Sequence, residues 1–297
     1  MFSIVFLVFC VYIRGMTNQH TPEDQINPEF LPPLELWEAA EKLLPPRGPS
    51  PKGGAPRKPD QKMFDAIFYV LRSGIQWKAL PRCLGAPSTV HDRFQEWRSP
   101  EIDLFKKLWI AGLIEYDDCI GIEWEWQTID SAMTKAPLGQ EDTGPNPTDR
   151  GKMGTKRHLL TEGKGMPLAV VLTGANCHDK TQVEAVLENI VIERPTPTEK
   201  DPQNLCCDKA YDAADTRECV IIKYGYTPHI KSRGEEIDTK KKIPGYRARR
   251  WVNERTHSWM NRYRRILIRW EKKTANYEAF LHLACACITF RAAGAFG

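Results

Sequence analysis

The 297 residues hold no CxxC pair and no histidine at zinc-ligand spacing. They also lack a Walker motif, a Rossmann fingerprint and a nucleophile elbow. Each absence removes a class: structural zinc modules, P-loop nucleotide hydrolases, dinucleotide oxidoreductases and α/β-hydrolase esterases. The nine cysteines are odd in number and scattered, at Cys10, Cys83, Cys119, Cys177, Cys206, Cys207, Cys219, Cys285 and Cys287. Several stand inside apolar runs, where cysteine acts as a small hydrophobe, so a disulfide framework is not expected and reduced thiols in a cytoplasm are. No internal repeat is present. The opening apolar run, Phe2 to Ile13, is too short to cross a bilayer as a helix. No basic segment precedes it and no small-residue cleavage site follows, which argues against a signal peptide. A polar stretch begins at Met16, and translation is expected to start there. The alternative for residues 1–15 is a membrane anchor.

What is present is ordinary in bulk and uneven in detail. The chain is 41% hydrophobic and 27% charged, with a net charge of +4. Between Lys231 and Lys273, however, fifteen Lys or Arg stand against five Asp or Glu. That local excess suits a polyanion, although a solvated charged helix would look the same.

Along the chain, Leu34–Leu44 has helical apolar spacing, and the Pro- and Gly-rich stretch 45–60 reads as a loop. Residues 61–73 form a second amphipathic helix, with Phe64, Ile67, Phe68 and Leu71 on one face and Gly74 as the C-cap. A third helix runs to Trp97 from an N-cap at Ser88. Two short helices around a turn, the second carrying His91, Arg93 and Gln95, have the form of a helix-turn-helix. A strand ends EWEWQTID, and Lys135 to Gly154 reads as a long loop. A hairpin follows over 155–174, then a helix over 179–193 capped by Asp179. Next come a strand over 204–208, a helix over 212–224 capped by Asp212, and a strand over 226–230. A long helix over 250–269 and an apolar helix over 276–291 complete the chain. Its apolar stripe is Val252, Trp259, Tyr263, Ile266, Leu267 and Trp270. The expected fold is a mixed α/β sheet with helices on both faces, preceded by a small all-α region. The divisions are a tail (1–33), a helical DNA-binding region (34–115) and a catalytic core (120–297).

Two apolar strands end on a carboxylate followed by lysine: Asp130 in TIDSAMTKAP and Asp208 in LCCDKAYD. In open α/β sheets, sites gather at the carboxyl ends of strands. A third acid, Glu254, falls opposite the apolar stripe of its helix, among Ser258, Asn261, Arg262 and Arg265. Three acids in one place repel unless a divalent cation fills the space. Oxygen-only ligation suits two Mg²⁺ or Mn²⁺ ions, which activate a water or a 3′-hydroxyl and stabilise the leaving oxygen. Lys135 and Lys209 stand close after the aspartates, and Lys156 and Arg157 stand in the hairpin. All four are candidate phosphate contacts, as are the arginines around Glu254. His158 and His178 read as structural.

The segments QTIDSAMTKAP, TGPNPTDRGKMGTKRHLLT, GANCHDK, LCCDKAYD and RARRWVNERTHSWMNRYRRILIRWEK together resemble one family. It is the DDE transposases of bacterial insertion sequences, of the insertion-sequence-five type with a ribonuclease-H-like core. The resemblance covers nearly the whole chain after about Leu34. It implies that Asp130, Asp208 and Glu254 are the metal-binding catalytic triad. It implies that Lys135, Lys156, Arg157, Lys209, Arg250, Arg255, Arg262, Arg265 and Arg93 meet DNA. It also implies that the N-terminal helices bind terminal inverted repeats, and that a homodimer forms on double-stranded DNA. In the family's Y-x2-R-x3-E signature, Arg250 and Glu254 match, while Arg247 stands where tyrosine is usual. Asn261 stands where a lysine is usual, and Ala210 where glycine is commoner. The expected activity is metal-dependent 3′-end cleavage and strand transfer. The alternatives are a non-catalytic, sequence-specific DNA-binding protein derived from a transposase, and a nuclease of the same fold acting on RNA or hybrid duplexes.

Overall fold

Residues 26–46, 56–230 and 251–296 are described by the computed structural model. The opening apolar run, the basic stretch 231–250 and Arg250 lie outside the described residues.

Helix α1 (Leu34–Leu43) buries Leu36, Trp37 and Ala40, one face at helical spacing. Helix α2 (Asp60–Ser73) ends as its sequence predicts. Gly74 takes φ 73° and its N–H returns to Val70 O. A Cβ there would also meet Arg264 at 2.9 Å, so conformation and space both demand glycine. Helix α3 (Pro87–Trp97) starts two residues earlier than expected: Pro87 opens it, and Ala86, not Ser88, occupies the cap, without a side-chain bond.

A helix that the sequence reading passed over, α4 (Leu104–Ile120), is the pillar of this region. Its Phe105, Leu108, Trp109, Leu113 and Tyr116 are buried. They face the last helix, α8 (Thr274–Ala292), in which every residue from Ala279 to Phe290 is buried. A helix apolar on all sides has to be enclosed. The two axes close at Gly112, where a Cβ would stand 2.4 Å from Thr289 Oγ1. The N-terminal helices thus share one continuous apolar core with the sheet.

The sheet has six strands: β1 (Trp126–Lys135), β2 (Gly144–Pro145), β3 (Met153–Glu162), β4 (Pro167–Gly174), β5 (Asn204–Cys207) and β6 (Thr227–Ile230). The path β2-β3-β1-β5-β6 carries β4 on β3. β3 runs antiparallel to β1, β2 and β4, while β5 runs parallel to β1 and β6 parallel to β5. Short helices α5 (Val183–Glu188) and α6 (Ala214–Ile222) make the crossovers. The result is the mixed α/β sheet with helices that the sequence predicts, preceded by a helical region.

Three expected elements differ. The helix expected over 250–269 spans Trp251–Met260 (α7) and then stops. The chain leaves the helix so that Arg269 N–H can bond Lys135 O at 2.8 Å, tying this segment to the end of β1. The expected stripe breaks with it: Val252, Tyr263 and Ile266 are buried, but Leu267 and Trp270 are each 43% exposed. Helix 179–193 shrinks to a 3-10 turn (Asp179–Gln182) plus α5, because Val191 N–H leaves the helix to bond Leu168 O on β4. Asp179 and Asp212 do not cap. His178 and Ala213 hold those positions, and Asp212 pairs with Arg217 at 2.8 Å. The eight described cysteines are free thiols. Among the described residues, no helix is long and apolar enough to cross a membrane.

Candidate active site

The two aspartates stand at the same level on neighbouring strands, Asp208 just past the end of β5 but Asp130 within β1, because pairing with β3 carries that strand on to Lys135 instead of ending it at the aspartate as expected. β1 and β5 are parallel with Ile129 opposite Cys207, and the next residue on each is Asp130 and Asp208. Parallel neighbours lie about 4.8 Å apart, so the two side chains start side by side. Asp130 Oδ1 accepts the Ser131 N–H at 2.8 Å. Asp208 ends β5 and caps the turn Lys209–Tyr211, accepting Lys209 N–H at 2.6 Å.

Glu254 reaches this end of the sheet from α7. The face of α7 turned to the sheet is Val252, Asn253, Thr256, His257 and Met260, which leaves Glu254 exposed. Asn253 fixes the crossing: its Nδ2 donates to Thr128 O at 2.8 Å and to Leu159 O at 3.3 Å, one carbonyl on each central strand. Thr256 Oγ1 donates to Gly165 O at 2.7 Å and holds the next turn. Burial pushes the Asp130 carboxyl up to about 6, and the charges of Asp208, Asp179 and Glu254 push the same way. The three expected acids therefore act on one electrostatic centre.

A fourth acid stands beside them. Asp179 Oδ1 accepts Ser131 Oγ at 2.8 Å and pairs with the buried Lys156 Nζ at 3.0 Å. Lys156 also donates to Cys177 O at 2.7 Å. His158 Nδ1 stands 3.7 Å from the same carboxylate, while its Nε2 meets Thr173 Oγ1 at 2.8 Å. Burial pushes His158 down to about 4, so its ring is neutral near pH 7. Tyr211 lies against the group; burial first, then Asp179 and Asp130, raise its phenol well above the ordinary value. The sequence reading took Asp179 for a helix cap and gave Asn253 no role. The only signal for either was position: GANCHDK after a strand that runs toward the site, and an amide directly before the glutamate.

The donor set fits a hard divalent cation. It is all carboxylate, and the buried member carries excess neighbouring negative charge. Among the described residues, no group of three His, Cys, Asp or Glu side chains is gathered closely enough to hold a metal ion as it stands. The acids converge in field rather than at ligand distance.

The expected phosphate contacts divide. Lys135 is 63% exposed and lies 3.4 Å from Asp149, and Lys209 is exposed beside Asp208. Arg262 is exposed after α7. Arg255 is held between the rings of Trp251 and Trp259, 4.7 and 4.9 Å from their centroids, and bonds Lys164 O. Four others are interior. Lys156 serves Asp179. Arg157 is 3% exposed and donates to Asn261 Oδ1 at 3.2 Å. Arg265 pairs with Glu271 at 2.6 Å and donates to Ile75 O. Arg93 pairs with Asp60 and Glu96 and lies 5.6 Å from the Trp97 ring. His91 and Gln95 also turn onto the protein, against Trp77 and Asn276. The face expected to read DNA as a helix-turn-helix is therefore engaged within the fold.

Comparisons with known proteins agree with this chemistry. The family model described as "Transposase DDE domain" matches residues 127–289, and that described as "Putative transposase of IS4/5 family" matches residues 34–108. A "Putative transposase for insertion sequence element IS402" from Burkholderia cepacia is 38% identical over 50% of this chain and 69% of its own length. A "Putative transposase for insertion sequence element IS6501" from Brucella ovis is 29% identical over 47% of this chain and all of its own length. A solved pre-cleavage Mos1 transpososome aligns over 88% of this chain and 94% of that chain, at 11% identity and a TM-score of 0.27, too slight a likeness to support any step here. The DDE-domain match alone takes in more than half of the residues, including Asp130, Asp179, Asp208 and Glu254, and the chain belongs to the DDE transposases of insertion sequences.

Proposed function

We propose that the chain cuts DNA at the ends of an insertion element and joins the freed 3′-hydroxyls to target DNA. One observation carries this reading: Asp130 and Asp208 stand side by side on adjacent parallel strands, and Glu254 follows the asparagine that pins its helix to the two central strands. Mg²⁺ or Mn²⁺ held by Asp130, Asp208 and Glu254 supplies, when bound, Lewis-acid activation of the attacking oxygen and charge stabilisation of the leaving one.

The chain's own residues do the positioning. Asn253 sets the height of Glu254 over the sheet. Ser131, Asp179 and Lys156 brace the strand beside Asp130. Lys209, exposed next to Asp208, and Lys135, exposed at the far end of β1, hold phosphate oxygens of the bound duplex. Buried Arg93 and Arg265 are excluded from that role and support the fold instead. The helical region 34–115 recognises the element's terminal inverted repeats through surfaces other than the engaged face of α3, and two copies of the chain pair two ends on DNA.

The test is Mg²⁺-dependent nicking of a labelled duplex carrying an element end. The wild-type chain cuts and transfers the strand; Asp130→Asn does neither and still binds DNA. Binding without nicking by the wild-type chain would establish the non-catalytic alternative. Cut products with no strand transfer would establish a nuclease.

A further inference from the structure

Away from the acids, three guanidiniums converge on one cavity. Arg72 from α2, Arg262 after α7 and Arg291 from α8 rim a hollow of about 250 Å³ floored by Met166, Trp259 and Tyr263. Arg72 lies 5.4 Å from the Tyr263 ring centroid, and its Nη1 donates to Arg262 O at 3.2 Å. None of the three has a carboxylate at ion-pair distance among the described residues, in contrast to Arg93 and Arg265. A second hollow, of about 510 Å³, shares Arg72, Tyr263 and Arg291 and carries one acid, Glu29. Like charges held around one opening repel, and an anion relieves them.

We propose that this cavity binds one unpaired nucleotide of the bound DNA, with its phosphate on the arginines and its base against Trp259 and Tyr263. One observation selects a nucleotide over other anions: the lining between the arginines is aromatic and apolar, which suits the face of a base and not a bare phosphate. The cavity also lies between α2, α7 and α8, so a strand lying in it links the helical region to the core. The inference rests on the DNA reading above.

The experiment uses the full chain and fluorescein-labelled oligonucleotides, single-stranded and duplex, over a series of salt concentrations. Arg72→Gln with Arg291→Gln is expected to weaken single-strand binding about tenfold. It should also flatten the plot of log affinity against log salt by roughly 1.4, near 0.7 for each lost phosphate contact. An oligonucleotide carrying 5-iodouracil, irradiated with the unaltered chain, is expected to crosslink to Trp259 or Tyr263, a readout that does not require the variant to fold. Unchanged affinity and slope in a folded variant, or crosslinks confined to other residues, overturn the proposal. So does displacement of the oligonucleotide by polyglutamate at equal charge, which would mark an acidic-peptide site. A wild-type chain that binds no DNA refutes the broader reading instead.

Discussion

Asn253→Ala tests whether the amide before Glu254 holds the acid in place. The substitution removes two donated bonds, to Thr128 O and Leu159 O, at a position with no solvent exposure. Leaving buried carbonyls short of a partner costs about 1–3 kcal/mol. Alanine returns roughly 0.6 kcal/mol as a better helix former than asparagine. The net loss is about 1–2 kcal/mol, or about 2–8 °C in Tm at roughly 2–4 °C per kcal/mol for a chain of this size. The fold survives that loss; the geometry should not. A displacement of about 1 Å at a reacting centre can cost about 10²-fold in rate, so nicking should fall 10- to 100-fold at 20 °C, where both proteins are folded. Asn253→Asp should be worse on both counts, since it points carboxylate oxygens at two carbonyls and adds a charge beside Asp130. Thermal unfolding and a gel nicking assay read the two effects separately. If Asn253→Ala loses the expected Tm but nicks within twofold of wild type, the amide only packs and the positioning argument is wrong.

Other outcomes follow from the same coordinates. Arg269 is fully buried and donates to Thr155, Asp142, Glu271, Lys272 and Thr274, so Arg269→Met should cost about 3–5 kcal/mol, seen as a lower urea midpoint; a loss below about 1 kcal/mol contradicts the clamp. Gly112→Ala gains up to about 1 kcal/mol of helix propensity but forces a methyl onto Thr289 Oγ1, an overpacking cost of about 1–3 kcal/mol, so Tm should fall; a rise shows that the helices can part. Asp130 has a folded pKa raised from 3.8 to about 6, so its favourable share is complete below about pH 4 and is lost as pH rises through 6. In EDTA, Asp130→Asn should therefore match wild type at pH 4 and exceed it by up to roughly 3 kcal/mol at pH 8, an upper bound from the shift. Millimolar Mg²⁺ should narrow that gap; a gap independent of pH would show that burial does not strain this carboxyl.

The sequence announced some features because their cause is local. An apolar run closed by Asp130 or Asp208 needs only strand periodicity to be read, and the parallel pairing then brings the two acids level. Gly74 and the hairpin expected over 155–174 are legible for the same reason, the strand pairing in fact opening at Met153. What escaped depends on distant partners. The helix over Trp251–Met260 is followed by good helical residues, yet stops because Arg265 and Arg269 have partners at Glu271, Thr155 and Asp142. Arg93 looks like a recognition residue until Asp60, 33 positions earlier, claims it. Asp179 looks like a cap until Ser131 and Lys156, on two other strands, take both its charge and its lone pairs.

The last long helix has a temporal consequence. Ala279 to Phe290 fill the groove that α4 opens at Gly112, more than 160 positions upstream. During synthesis, Phe105, Trp109 and Leu113 emerge from the ribosome long before the segment that covers them exists. The nascent chain must wait with that surface bare, a natural target for chaperones. A frameshift anywhere upstream of α8 would leave a chain with no way to close its interior, however intact its acids.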